Sequence, residues 1–429
     1  MTALDPLTAR DIINALRSGT VPQAGLHHLA VGVEAEEAAI LEQLDHVVSG
    51  RGAYKFVRGA YGAGKTFLAR LILEDALARN FVVTEAVISP DTPLYKLEQV
   101  YARLVSNLRT LGQEHALKAL LDRWIYRIED RFIELEALSE DDPRLLERTE
   151  QALETDLARI AALDAGFSLA VRGYYRAQAE GDFAIAQSLI GWLSGQGTVG
   201  AAARRYAGIR GQVSRSLALT YLQTVCHVAR LAGHTGLVIV LDEVETVQRL
   251  RRPEREKSLS NIRQIVDAVD GGGFQYTYFL FTGTPSFFED RKGVPSLQPL
   301  HERIKLMDAD DRFRNLRQPQ IVLRAFDRER LVAVARKVRE IYDIAYQPVD
   351  RARVSETFIE RMADHLTSKF GGRVDVLPRV FLREFVHVLD LVQDYPDYDP
   401  AAQYAFDVEK ARREGLLKAE EEEVSAVVF

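Results

Sequence analysis

The sequence predicts an α/β protein: a parallel sheet whose strands alternate with helices, interrupted by a helical insertion and followed by a C-terminal helical lid. Three observations predict it. A glycine-rich turn, Gly59-Ala60-Tyr61-Gly62-Ala63-Gly64-Lys65-Thr66, lies between a short apolar run and a helical stretch. An unbroken apolar run, Leu237-Val238-Ile239-Val240-Leu241, has the character of a parallel strand buried on both faces. Between these two, the residues after Leu94 read as one helical segment after another.

The turn matches G-x-x-x-x-G-K-[ST], the phosphate-binding P-loop. Its glycines let backbone N–H groups point inward at phosphate oxygens where side chains would block the approach. The helix that starts there adds partial positive charge at the same place. Residues Gly59, Ala60, Tyr61, Gly62, Ala63, Gly64, Lys65 and Thr66 are therefore the candidate nucleotide cradle. Lys65 is expected to reach the β/γ-phosphates and Thr66 to place its hydroxyl on Mg²⁺. The plainer alternative is a glycine turn before an ordinary helix. Filled fixed positions and a strand–turn–helix context favour the nucleotide.

The chain of 429 residues is long enough for two or three structural units, and 47% hydrophobic with 27% charged residues is a globular composition. No apolar run reaches bilayer length and no signal segment follows Met1, so the expectation is a cytoplasmic protein with no membrane contact. The single cysteine, Cys226, sits in an apolar helical stretch and reads as a core residue. A net charge of −7 argues against an overall basic surface but leaves room for a local basic groove.

Taken in order, residues 7–18 show helical spacing that Gly19 ends. The apolar segment through Val31 and Gly32, just upstream of the P-loop, is the expected adenine-side wall, and a helical pattern follows to Val48. The paired His27 and His28 do not share a helix face and read as packing or base contacts rather than metal ligands. Strands are expected at Tyr54–Val57, Phe81–Ser89, Gly236–Leu241, Tyr276–Phe281 and around Gln320–Leu323. Helical stretches at Asp327–Tyr342, Ser355–Lys369 and Leu377–Asp390 form the lid, and the tail from Asp407 is charged. The expected domains are 1–53, a core at 54–325 with an insertion at about 109–215, a lid at 326–405 and a tail at 406–429.

The strand ending in Asp242-Glu243 has the form of a Walker B strand. Asp242 is placed to hold Mg²⁺, and Glu243 to polarise the attacking water as general base. Thr284, past the next strand, can contact the γ-phosphate or the water, with Thr282 as the alternative and a backbone-driven turn as the plainer reading. Arg303 can reach a neighbour's γ-phosphate as an arginine finger, or form a surface ion pair. Arg379, in a helical first turn marked by Pro378, can report nucleotide state from the lid, with Arg373 as the weaker candidate.

In order and spacing, Gly32-Val33-Glu34, the P-loop, Asp242-Glu243, Thr284, Arg303 and Arg379 resemble the AAA+ ATPases. The stretches Arg10–Pro22 and Phe56–Thr66 further resemble the BrxD-like ATP-binding family of bacteriophage-exclusion (BREX) defence islands, over about Leu7 to Tyr404. The resemblance implies an AAA+ core with ATP and Mg²⁺ as cofactors, ATP hydrolysis, a homo-oligomer, and a helicase-like partner from the same defence system. A nucleotide-gated switch or scaffold with little turnover is the second expectation, and a small-molecule kinase fits poorly because no acceptor site is recognisable. No winged-helix segment follows the lid, so DNA binding is not carried over. For DNA the candidates are Arg249–Lys257 and Arg204, Arg205, Arg210 and Arg215.

Overall fold

The computed structural model describes residues 3–139, 142–196, 200–211, 213–307, 314–369 and 377–405. Arg373 and the tail from 406 lie outside the described residues. The first part of the chain forms α1 (Pro6–Arg17), α2 (Glu34–Val48), β1 (Ala53–Arg58), α3 (Lys65–Ala78), β2 (Val82–Val87) and α4 (Leu97–Ser106). Then come α5 (Leu117–Glu136), α6 (Pro143–Leu163), α7 (Ala165–Ala179), α8 (Phe183–Leu193), α9 (Ala201–Ala207) and α10 (Ala218–Leu231). They are followed by β3 (Leu237–Asp242), α11 (Arg252–Asp270), β4 (Thr277–Gly283), α12 (Pro285–Glu289), α13 (Gln298–Ile304) and β5 (Gln320–Val322). The chain closes with α14 (Arg328–Ala345), α15 (Glu356–Lys369), α16 (Leu377–Asp394) and α17 (Pro400–Gln403).

These elements make two compact units. One comprises Ala38–Arg58 and Ile72–Ile321, and the other the described residues of Met1–Glu37, Gly59–Leu71 and Val322–Phe429. The first carries the sheet, in the order β2-β3-β4-β1-β5. β1 with β4, β3 with β4 and β2 with β3 pair in parallel. β3 and β4 are buried along their whole length, as the apolar run at Leu237–Leu241 requires of an interior parallel strand. Phe56 of β1 stacks on Phe281 of β4 with ring centroids 4.5 Å apart.

The connection from β2 to β3 carries the helices α4 to α10, and its apolar residues join the sheet in one core that includes Trp124, Tyr174, Trp192 and Tyr221. α7 begins two residues earlier than the periodicity suggests, because Asp164 caps it and accepts from Phe167 N at 2.7 Å. Cys226 of α10 is buried.

The second unit has its own core, in which Ile12, Ile13 and Leu16 of α1 pack with apolar residues of α14, α15 and α16. α1 is held at its start by Asp5, whose carboxylate accepts from Leu7 N and Thr8 N at 3.0 Å. Its last turn is fixed by Arg17, which grips Asp390 of α16 with two bonds of 2.8 and 2.9 Å. α16 runs one turn past Asp390 because Val392 continues its buried face. Among the described residues, no helix is long and apolar enough to cross a membrane.

Candidate functional site

The parallel register brings the ends of four strands to one edge of the sheet. Arg58 stands opposite Gly283, Leu241 opposite Phe281, and Val87 opposite Asp242. In an open parallel sheet, ligands bind beyond the carboxyl ends of the strands. At that edge β1 runs directly into Gly59, β3 into Glu243 and β4 into Thr284.

Asp242 is buried at the end of β3 and accepts from the hydroxyl of Thr282, a fully buried β4 residue. Glu243 N donates to Asp242 Oδ1 and to Thr282 Oγ1, both at 3.1 Å. To make these bonds Glu243 turns into the left-handed region, φ 58° and ψ 44°. For a residue with a Cβ this costs about 1–2 kcal/mol, and such strain concentrates at functional sites. The turn leaves the Glu243 side chain exposed, one residue from a buried carboxylate. Thr284 is also buried, but its hydroxyl pairs with Ser286 Oγ at 3.0 Å. Gln248 completes this second group, donating to Ser286 O at 3.1 Å. Of the two threonines the sequence offers, Thr282 is therefore the one bonded to Asp242.

Arg303 is exposed on α13 and lies 3.1 Å from Asp267 and 3.2 Å from Asp270 of α11. Arg58, one residue before the P-loop, pairs with Glu289 of α12.

The glycine-rich turn at residues 59–66 belongs to the second unit. Gly62 and Gly64 have φ of 79° and 90°, values that residues with a Cβ rarely adopt. A Cβ at Gly59 would lie 3.1 Å from the Cβ of Ala63 and 3.2 Å from that of Leu323, so a side chain there would press its neighbours aside by a few tenths of an ångström. Lys65 is buried, and its ammonium donates to Gly59 O at 2.8 Å and Ala60 O at 3.0 Å. The exposed ring of Tyr61 lies 5.2 Å from the same ammonium. Glycines in left-handed conformation and a cation held at the mouth of a helix fit a polyphosphate. A threonine hydroxyl such as that of Thr66 is a hard oxygen donor of the kind Mg²⁺ takes.

Val31 is half-buried against the second core. Gly32 has φ 69°, and a Cβ there would meet Arg330 Nε at 2.7 Å. Arg330 of α14 thus lies directly against the expected base-side wall, and no local motif marks it. Phe326 is a second residue without a sequence signal; its ring edge comes within 3.8 Å of a Cβ built on Gly64. Arg379 is exposed at the start of α16, and its side-chain stem lies 3.6 Å from the Cβ position of Gly19, after α1. The same loop is tied to the P-loop helix, since Arg70 of α3 donates to Val21 O at 2.7 Å.

A family model described as BREX system ATP-binding protein BrxC/D matches residues 4–408 of the chain. No curated protein matches it.

Proposed function

The chain belongs to the family of BREX system ATP-binding proteins, and from that premise we propose that it is an AAA+ ATPase of phage defence. In this reading it works as an oligomer and couples ATP hydrolysis to remodelling or loading a helicase-like partner on DNA. The family description names ATP as the ligand. The observation that carries the hydrolytic reading is the end of β3. There a buried Asp242 is held by Thr282, and a strained turn puts the Glu243 carboxylate in solvent.

In this reading Gly59–Thr66 cradle the phosphates, and Lys65 exchanges its own loop carbonyls for the charged oxygens of the β- and γ-phosphates. Val31, Gly32 and Phe326 form the apolar side of the base site, and Arg379 reports nucleotide state from the lid. Thr66 and Asp242 would be the residues that hold Mg²⁺, which would supply positive charge to offset that of the phosphates. Glu243 orients a water and accepts its proton as the water oxygen bonds to the γ-phosphorus. The bond to the β-phosphate oxygen breaks, giving ADP and phosphate. Phosphoryl transfer asks little covalent chemistry of the protein, so positioning and electrostatics supply the rate.

One observation favours the switch reading: Arg303, the residue a trans-acting finger requires, is engaged by Asp267 and Asp270 of its own chain. The experiment that separates the two readings is Glu243→Gln, assayed for ATP binding and for turnover. An ATPase keeps its affinity and loses turnover by about a hundredfold, the scale of a general base. Turnover within a few-fold of a slow wild type would instead identify a switch.

A further inference from the structure

The chain has 62 Asp and Glu in 429 residues and a net charge of −7, yet none of the 62 falls between Phe183 and Leu241. That stretch carries Arg204, Arg205, Arg210, Arg215 and Arg230. From it and the geometry of α9, we infer that α9 and residues 208–211 after it form a sequence-independent binding surface for the phosphate backbone of nucleic acid. The inference rests on the reading above only for DNA as the partner; it needs no ATP turnover.

The surface is built, not incidental. α9 buries Ala203 and Ala207, and Ala207 meets α7 where Gly173 leaves no space for a Cβ. Gly208 ends the helix in the left-handed conformation. The loop is then pinned by buried Ile209 and Val213 and by Trp192, which donates to Gly211 O at 3.1 Å. Arg205 and Arg210 project from this support and are exposed, and Arg176 of α7 stands beside them with its guanidinium 4.8 Å from the Tyr206 ring. Among the described residues, none of these three arginines has an ion pair. A carboxylate, Glu180, lies beside Tyr206 and accepts from its OH at 2.7 Å.

The neighbours of the arginines decide the class of partner. Gly200, Gly208 and Gly211 face open space, and Ala201 and Ala202 are exposed. Small residues let a phosphodiester chain approach the backbone closely. A protein partner needs apolar or aromatic anchors in pockets, whereas here the apolar residues Ile209 and Val213 are buried and Tyr206 is half-buried. In the rival basic stretch at Arg249–Lys257 two glutamates are interleaved with the cations, and Arg252 pairs with Glu256 at 2.7 Å.

The test is fluorescence anisotropy of the full-length protein with labelled duplex and single strands of about 30 nucleotides, from about 50 to about 250 mM NaCl. The wild type should bind both with no sequence preference, and log affinity should fall linearly with log salt. Arg205→Ala with Arg210→Ala should weaken binding about tenfold or more at about 100 mM salt. Its salt slope should be shallower by about 1.8 on duplex and about 1.4 on single strand. The corresponding double lysine variant should keep the slope. If the alanine pair melts early, Arg205→Gln with Arg210→Gln takes its place. An unchanged slope in the neutral variant, or no wild-type binding at the lowest salt, overturns the inference. So does polyglutamate binding as tightly as DNA and losing affinity in the same variant, which would indicate an acidic protein partner. Lys65→Ala keeps the two readings apart. If it binds ATP normally while the DNA slope stays intact, the ATPase reading fails and this one stands.

Discussion

Replacing Thr282 with valine removes one hydroxyl from a fully buried position and little else, because the two side chains have nearly the same shape. That hydroxyl donates to the Asp242 carboxylate and accepts from Glu243 N at 3.1 Å. A hydrogen bond to a charged group is worth about 1.5–3 kcal/mol, and water cannot replace it in a buried site. Glu243 N retains Asp242 Oδ1 as an acceptor, so its loss is small, and valine suits a strand. The expected net cost is about 2 kcal/mol, read as a lower urea midpoint. The same contact holds Asp242 and the left-handed turn that presents Glu243. If the loss is felt in full at the transition state, about 2 kcal/mol corresponds to turnover about thirtyfold slower at saturating Mg²⁺–ATP. Affinity for an ATP analogue should change little. Thr284→Val is the control: its hydroxyl pairs with Ser286, so turnover should stay within a few-fold and stability within about 1 kcal/mol. Wild-type turnover and midpoint in Thr282→Val, or greater damage in Thr284→Val, would refute the assignment.

Lys65→Ala should abolish ATP binding in a titration, since it removes the one cation held inside the loop; near-normal affinity would defeat the P-loop assignment. Arg303→Ala subunits should bind ATP without hydrolysing it, and mixing them with Glu243→Gln subunits should restore activity if Arg303 acts across a subunit interface. If Arg303 serves only its pairs with Asp267 and Asp270, no rescue occurs. Stability should also fall in mild acid through His234, buried and 3.0 Å from Asn80 Oδ1. Burial, then the nearby Arg123, lowers its pKa below the ordinary 6.5. Above that pH both folded and unfolded imidazoles are neutral. As the pH falls through it the unfolded chain takes up the proton first, and stability is lost until the folded pKa is reached. The drop in urea midpoint between about pH 7.5 and about pH 5.5 should be smaller in His234→Gln than in the wild type; an equal drop would exclude His234 as a source.

The sequence by itself determined what depends on neighbours along the chain. The P-loop, the strand before it and the helix after it are one continuous segment, so spacing alone places Lys65 and Thr66 at a helix start. The apolar run ending at Asp242 reads as an interior strand because an interior strand in a parallel sheet must be apolar on both faces. The C-terminal helices α14, α15 and α16 follow from their 3.6-residue periodicity, and α16 differs from the expectation only by its last turn. Tertiary structure alone decided which distant residues meet. Thr282 and Thr284 both follow the same strand pattern, and it is the parallel register of β3 and β4 that sets Thr282 against Asp242. Arg303 finds Asp267 and Asp270 because α13 lies beside α11. Arg330 fills the space that Gly32 leaves open, and α1 joins the core of α14 and α16, though more than three hundred residues separate them in sequence. Each of these contacts depends on register and packing between segments far apart in the chain, and local periodicity carries no record of either.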